Sequence, residues 1–436
     1  MIYLILILLV LFICFLITYY YRKKDITAPS MMVILGLFAS VFCALLNYGN
    51  WVVEYNYSIF LIICLGVISF LVCSAFYRRK AEPIQYKPEE ISLRRYKRLV
   101  IFIFYIVTLI KTVSEVRRLA ILGGWNGDFN TFIGTYRAYS MSRVSFDTNI
   151  SIIVSQMIKI CNAISFVVLY IIANNVEYKK QNRAYNFLKN NWFYFVIVLI
   201  NMIFYILLSA RMGIIRMILS FVFFDLVLMK GFGHSFTYGE AIKKYLFLFI
   251  LLFVFFSRIR FFIGRSTKMG IFQYLTFYAG GAVGCLQIYL NGAMERARYF
   301  GQETFSGLYT IFSKLGVVNN ISRAQPFVPL NAKTINNIYT AFRRYYTDFG
   351  YFGVVIMPAL MAVITNSFYN VITLKKIENP VKLACYRVLY GAFGYGLLML
   401  GIDDQFFTII FSTTGIMTIL YIVIVVMLLF RVEIRF

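Results

Sequence analysis

Apolar residues fall into long, nearly uninterrupted runs along this chain, and most polar residues are confined to the gaps. A bilayer crossing by a helix needs about 20 apolar residues. Such runs lie near residues 2–20, 30–48, 57–76, 99–114, 149–173, 191–209, 212–230, 245–257, 350–371, 383–400 and 406–430, the eighth being short. The pattern predicts an all-α polytopic membrane protein of about eleven transmembrane helices. The first run has no basic region ahead of it and no small-residue cleavage site behind it. Arg22, Lys23 and Lys24 follow at once, so it reads as a retained span.

Composition agrees, with 61% hydrophobic residues, 14% charged residues and a mean hydropathy of +0.76, values suited to a chain whose solvent is lipid. The seven cysteines lie within apolar runs, form no CxxC pair and read as small packing residues. With His234 as the sole histidine, a multi-histidine metal centre is ruled out, and nothing in the sequence supports a carboxylate-only one.

The net charge of +25 changes the picture more, because of where it lies. With the N-terminus outside, the short cytoplasmic loops collect Arg22 to Lys24, the cluster from Arg78 to Arg98, Lys179 to Lys189, Lys230 to Lys244, Lys375 to Lys382, and Arg431 with Arg435. That arrangement satisfies the positive-inside rule and leaves the C-terminus in the cytoplasm. Two long outer segments are basic as well, residues 115–148 and 258–348. Long loops are free of the topology rule and carry function. The apolar stretch 270–290 would invert everything downstream if it crossed the membrane, so it reads as an interfacial or re-entrant helix of the outer loop. The chain thus divides into residues 1–257, with eight spans and the outer loop 115–148; residues 258–348, the large basic outer loop; and residues 349–436, the last three spans.

Arginine holds phosphate oxygens bidentately and stays charged at any working pH. The outer loop offers Arg258, Arg260, Arg265, Lys268, Arg343 and Arg344 as anion contacts, some of which should instead reach lipid headgroups. Arg211 and Arg216 sit at a nearly loopless junction between two spans, where an ionisable side chain faces a protein interior or a watery cavity. Lys111 with Glu115, and Lys159 with Asp225, read as structural pairs. Tyr339 and Tyr345 flank the arginines as interface residues or sugar platforms. Asp348 is either a helix cap or a catalytic base, with the adjoining arginines expected to lower its pKa.

The segment Asn337-Ile338-Tyr339-Thr340, followed by Tyr346-Thr347-Asp348-Phe349-Gly350-Tyr351-Phe352-Gly353, resembles the N-x-Y-T and Y-x-D-F-G-x-x-G signature of bacterial oligosaccharide repeat-unit polymerases, the Wzy-type enzymes of O-antigen, capsule and exopolysaccharide assembly. Ser209-Ala210-Arg211-Met212-Gly213 is similar to that family's junction of small residues and Arg, although Ala210 and Met212 depart from its usual pattern. The resemblance implies a GT-C-like, metal-independent and cofactor-free glycosyltransferase of the bacterial cytoplasmic membrane. It would polymerise undecaprenyl-pyrophosphate-linked oligosaccharides at the outer face, with arginines stabilising the leaving pyrophosphate. Arg211, Arg343, Arg344 and Asp348 are then the catalytic group, and Arg258, Arg260, Arg265, Lys268, Tyr339 and Tyr345 the substrate contacts. Membrane lipids and a chain-length regulator protein are the implied partners, and nucleic acid is not among them. The competing readings are a transporter or flippase of lipid-linked sugars, against which no repeated halves are visible, and an O-antigen ligase.

The topology is checked by labelling. A membrane-impermeant thiol reagent should reach a cysteine placed at Ser306 in intact cells and fail to reach one placed at Glu378; the reverse pattern would overturn the orientation.

Overall fold

The computed structural model describes residues 1–77, 84–142, 150–233, 269–292, 297–319 and 325–430. It is helical almost throughout. In chain order the helices are α1 (Ile2–Tyr21), α2 (Pro29–Leu46), α3 (Tyr57–Ala75), α4 (Arg95–Leu122), α5 (Phe132–Ser142), α6 (Ile152–Gln181), α7 (Phe187–Leu207), α8 (Arg211–Gly231), α9 (Ile271–Asn291), α10 (Ser306–Lys314), α11 (Ala341–Leu374), α12 (Pro380–Met399), α13 (Phe407–Ile410) and α14 (Thr413–Phe430). One antiparallel hairpin, β1 (Val328–Asn331) with β2 (Thr334–Asn336), pairs Val328 with Asn336 and Pro329 with Ile335.

Among the described residues nine helices are long and apolar enough to cross a membrane, namely α1–α4, α6–α8, α11 and α14. The chain is a membrane-embedded helical protein. The expected eighth span, 245–257, lies outside the described residues, as do Arg258, Arg260, Arg265, Lys268 and His234. Helices α4 and α6 run well past the apolar stretches that announce them, because hydropathy marks only the lipid-facing length while backbone hydrogen bonding carries a helix on into water.

The chain separates into two compact units that cut across the linear division expected from the loops. One comprises Met1–Glu82, Gly270–Lys375 and Phe393–Ile416; the other comprises Pro83–Met269, Lys376–Ala392 and Met417–Phe436. In the first, α3 packs along α11, and α9 and α1 pack along α2. Close approach is made possible by missing side chains. A Cβ on Gly280 would stand 2.4 Å from the backbone of Ala44, one on Gly36 would stand 2.2 Å from the Leu398 carbonyl oxygen, and one on Gly66 would coincide with the Phe342 ring. Small residues serve this purpose in lipid, where helices associate by close packing and not by escape from water. The stretch read as interfacial or re-entrant is therefore one unbroken helix, α9, with Ala282, Val283, Cys285 and Leu286 buried.

The loops of this unit sort to two ends. At one, Arg22 donates to the carbonyls of Ser74 and Tyr77 and to Asn366 Oδ1, and Tyr369 donates to Asp25 (2.9 Å). At the other, Val52 donates to the Leu330 carbonyl (2.8 Å), Asn56 meets Gln287 and Asn291, and Ala341 donates to the Leu400 carbonyl (3.0 Å). Loops assigned to one face by charge thus share one end.

The second unit behaves alike. Ile91 and Asn175 exchange two hydrogen bonds (2.9 and 3.0 Å), Leu93 donates to Tyr194 (2.8 Å), and Tyr86 donates to the Gly231 carbonyl (2.7 Å). The outer segment 115–148 is partly α4 itself and partly α5, which packs Phe132 and Tyr136 on Val116, Leu119 and Ala120. Glu115 pairs with Arg118 (3.0 Å) and not with Lys111 as expected, and it also accepts from the Ser151 amide.

Replacing Gly280 by Leu should cost about 3 kcal/mol, the upper range for overpacking, because only backbone faces it. Gly49→Ala, with nothing within 4 Å of the new Cβ, should leave the thermal midpoint in detergent unchanged. Equal midpoints for the two variants would refute the close contact.

Candidate functional site

Three stretches distant in sequence meet around the start of α11 in the first unit. Arg343 and Arg344 stand in its first turns, yet they are only 5% and 6% exposed. Two adjacent guanidinium groups withdrawn from water are costly unless charge, hydrogen bonds or aromatic faces receive them. Arg343 lies in the corner formed by the mutually perpendicular rings of Tyr289 and Tyr339, 4.8 and 4.7 Å from their centroids. Its Nη1 is 3.4 Å from Glu303 Oε2. Arg344 Nη1 donates to both the backbone carbonyl and Oε2 of Glu303, each at 3.2 Å, and its Nε is 3.6 Å from Asp403 Oδ1. Among the described residues the buried Nε atoms of both arginines have no hydrogen-bond acceptor.

The acids differ in their tasks. Asp403 accepts from the Asp404 amide (2.9 Å) and the Gln405 side chain (2.8 Å). Asp404, almost wholly buried, accepts from the amides of Phe406, Phe407 and Thr408 at the start of α13. Burial pushes its carboxyl up to about 7, against the opposing pull of Arg344. Glu303, by contrast, keeps a side chain 21% accessible while both arginine side chains are at 7%.

Asp348 does not meet the arginines. Its Oδ1 accepts from the Glu303 amide (3.0 Å) and its Oδ2 from the Thr304 amide (2.7 Å). Burial raises its pKa, with those hydrogen bonds pulling the other way. This corrects the expectation that neighbouring arginines lower it. One helical turn separates residue 344 from residue 348 along α11, but the guanidinium groups turn toward Glu303 and Asp403 instead. A carboxylate that accepts an amide on each oxygen fastens the loop that carries Glu303.

The signature residues around it explain themselves locally. Gly350 has φ 63° and ψ −148°, a conformation that side-chain-bearing residues avoid, and it breaks α11 between the arginine-bearing segment and the following span. Gly353 lets the second segment pass the first, since a Cβ there would lie 2.2 Å from the Tyr345 carbonyl oxygen. Tyr339 donates to the Pro326 carbonyl (3.0 Å) and forms one wall of the Arg343 cradle. Tyr345 is fully buried, with its ring against Phe342 and Phe407, which makes it core and not an open sugar platform.

Of the expected group, the fold unites Arg343, Arg344, Asp348, Tyr339 and Tyr345 in one region. Arg211 belongs to the other unit, where it begins α8 and is 8% exposed. The tight turn before it needs Ser209 at positive φ, and Gly213 sits against the Tyr205 ring. Arg216 lies over the Phe166 ring at 4.9 Å and donates to the Ala392 carbonyl (3.3 Å). Residues that sequence reading passed over as partners of the arginines are Glu303, Asp403 and Tyr289. Glu303 had one signal, an acid in an otherwise basic outer segment, and Asp403 another, an acid in a short outer loop without Lys or Arg; Tyr289 had none. Comparison with family models, with curated proteins and with solved structures returns no match.

Asp348→Asn should be structurally damaging, because an amide nitrogen would face one of two backbone N–H donors. A buried donor left without an acceptor costs about 1–3 kcal/mol. The expected result is faster limited proteolysis within residues 297–305, with the spans unaffected; unchanged proteolysis would return Asp348 to the list of free bases.

Proposed function

We propose that the chain is a glycosyltransferase that polymerises lipid-pyrophosphate-linked oligosaccharides at the outer face of a bacterial cytoplasmic membrane. The observation that carries this reading is the Arg343–Arg344 pair. Two guanidinium groups are held out of bulk water with unsatisfied Nε donors, on the segment that carries the polymerase-like signature. In a low-dielectric setting such donors act strongly on charge that develops during reaction.

In the proposed reaction a hydroxyl of one lipid-linked repeat attacks the anomeric carbon of another chain. The new C–O bond forms as the bond to the pyrophosphate oxygen breaks, and the pyrophosphate leaves with its lipid. The attacking hydroxyl's proton passes to a base. Stabilisation of the departing pyrophosphate falls to Arg343 and Arg344, which tyrosine walls and Asp403 hold in position before substrate arrives. Aromatic packing rigidifies Arg343 in particular, so little order remains to be bought on binding. The positive-inside rule supports an outward orientation of this end of the first unit, the side on which enzymes of the kind the motif resembles polymerise lipid-linked repeats.

The test is reconstitution. Purified protein in liposomes, given a synthetic lipid-pyrophosphate repeat unit, should produce a ladder of longer glycans without added metal. Arg343→Lys and Arg344→Lys should each lower the rate about 10²-fold or more, as loss of a preorganised oxyanion donor does, since an ammonium cannot reproduce the planar fork. Lysine variants with full rates, or transport of the lipid across the bilayer with no ladder, would defeat the proposal.

A further inference from the structure

The position between the two arginines is already filled by a carboxylate. Glu303 Oε2 lies 3.4 Å from Nη1 of Arg343 and 3.2 Å from Nη1 of Arg344. A single anionic oxygen bridging two guanidinium groups is the arrangement that a phosphate oxygen takes in arginine-based recognition.

Three features distinguish this from a closed structural ion pair. The two contacts are long for charge-assisted hydrogen bonds, which ordinarily run about 2.7–2.9 Å. Among the described residues the Glu303 carboxylate accepts from the two arginines alone. And the loop is fastened through its main chain, by Asp348 on the amides of Glu303 and Thr304. The side chain is therefore free to swing out while its backbone stays in place. Accessibility agrees, the Glu303 side chain being 21% accessible against 7% for each arginine. Two buried Nε groups without acceptors show that the carboxylate satisfies the pair only in part.

We propose that Glu303 is an internal stand-in for phosphate, occupying the anion site when substrate is absent and yielding to an incoming pyrophosphate. With Asp403 it balances the two arginine charges in the empty state. An entering pyrophosphate brings negative charge to the same point, and repulsion between like charges at contact distance drives the carboxylate out. The stand-in keeps a buried cation pair compensated between turnovers, which matters because an uncompensated one strains the fold. The inference rests on the arginine pair being an anion site and not on the sugar chemistry of the preceding section.

The consequence is competition, which reverses the ordinary expectation for an acid in an active site: removing its charge should strengthen anion binding. The experiment uses the full chain in phosphatidylcholine nanodiscs, titrated with inorganic pyrophosphate by calorimetry at fixed ionic strength. Glu303→Gln should bind about tenfold tighter than the parent, the equivalent of one charge-assisted hydrogen bond no longer competed for. Glu303→Asp, too short to bridge both groups, should also bind tighter, which guards against a folding defect in the first variant. Arg343→Met with Arg344→Met should abolish binding in either background. Equal or weaker binding by both Glu303 variants would overturn the stand-in while leaving the anion site intact. Absence of pyrophosphate binding in the parent and both Glu303 variants would remove the anion site itself. Tighter binding without any glycan ladder would support the stand-in and count against the polymerase.

Discussion

Burial of two neighbouring positive charges is the constraint around which one end of the first unit is organised. Each guanidinium taken from water without compensation costs several kcal/mol, more than a typical helix contact returns. The chain meets that cost with three unlike devices: the Glu303 carboxylate and carbonyl, the Asp403 carboxylate, and the faces of Tyr289 and Tyr339. Each device comes from a different stretch of chain. The need for all three draws the loop before α10, the end of α9, the stretch ahead of α11 and the turn after α12 into one place.

Residues of the motif do mechanical work. Asp348 holds the Glu303 loop by its amides, Gly350 makes a break that no larger residue allows, and Gly353 admits a carbonyl at a distance that a Cβ would forbid. Together they set the arginine-bearing segment of α11 at a fixed offset from the span that follows. The acids that do touch the arginines lie outside the signature, at Glu303 and Asp403.

Electrostatics at this end is uneven in a useful way. Asp404 is sealed and pushed up to about 7, whereas Glu303 stays partly accessible with its charge committed to the arginines. Burial and the amides at the start of α13 make Asp404 a fixed structural group. Loss of hydration likewise strengthens the hold of Glu303 and Asp403 on Arg343 and Arg344.

Membrane embedding, helical class and the sorting of loops to two ends were legible in the sequence, because lipid imposes a minimum apolar length and confines polar residues to the gaps. Hydropathy could not show that α9 is a buried helix laid on α2, since Gly280 reveals its purpose only against the backbone of Cys43 and Ala44. The arginines and Asp348 were visible as a cluster along the chain, but their partners were not. Side chains one turn apart on a helix can point to different neighbours, and which acid each meets depends on loops some 40 to 60 residues away. Tertiary structure alone decided that Asp348 serves the backbone and that Glu303 serves the arginines, because a carboxylate binds whichever donors the fold leaves without a partner.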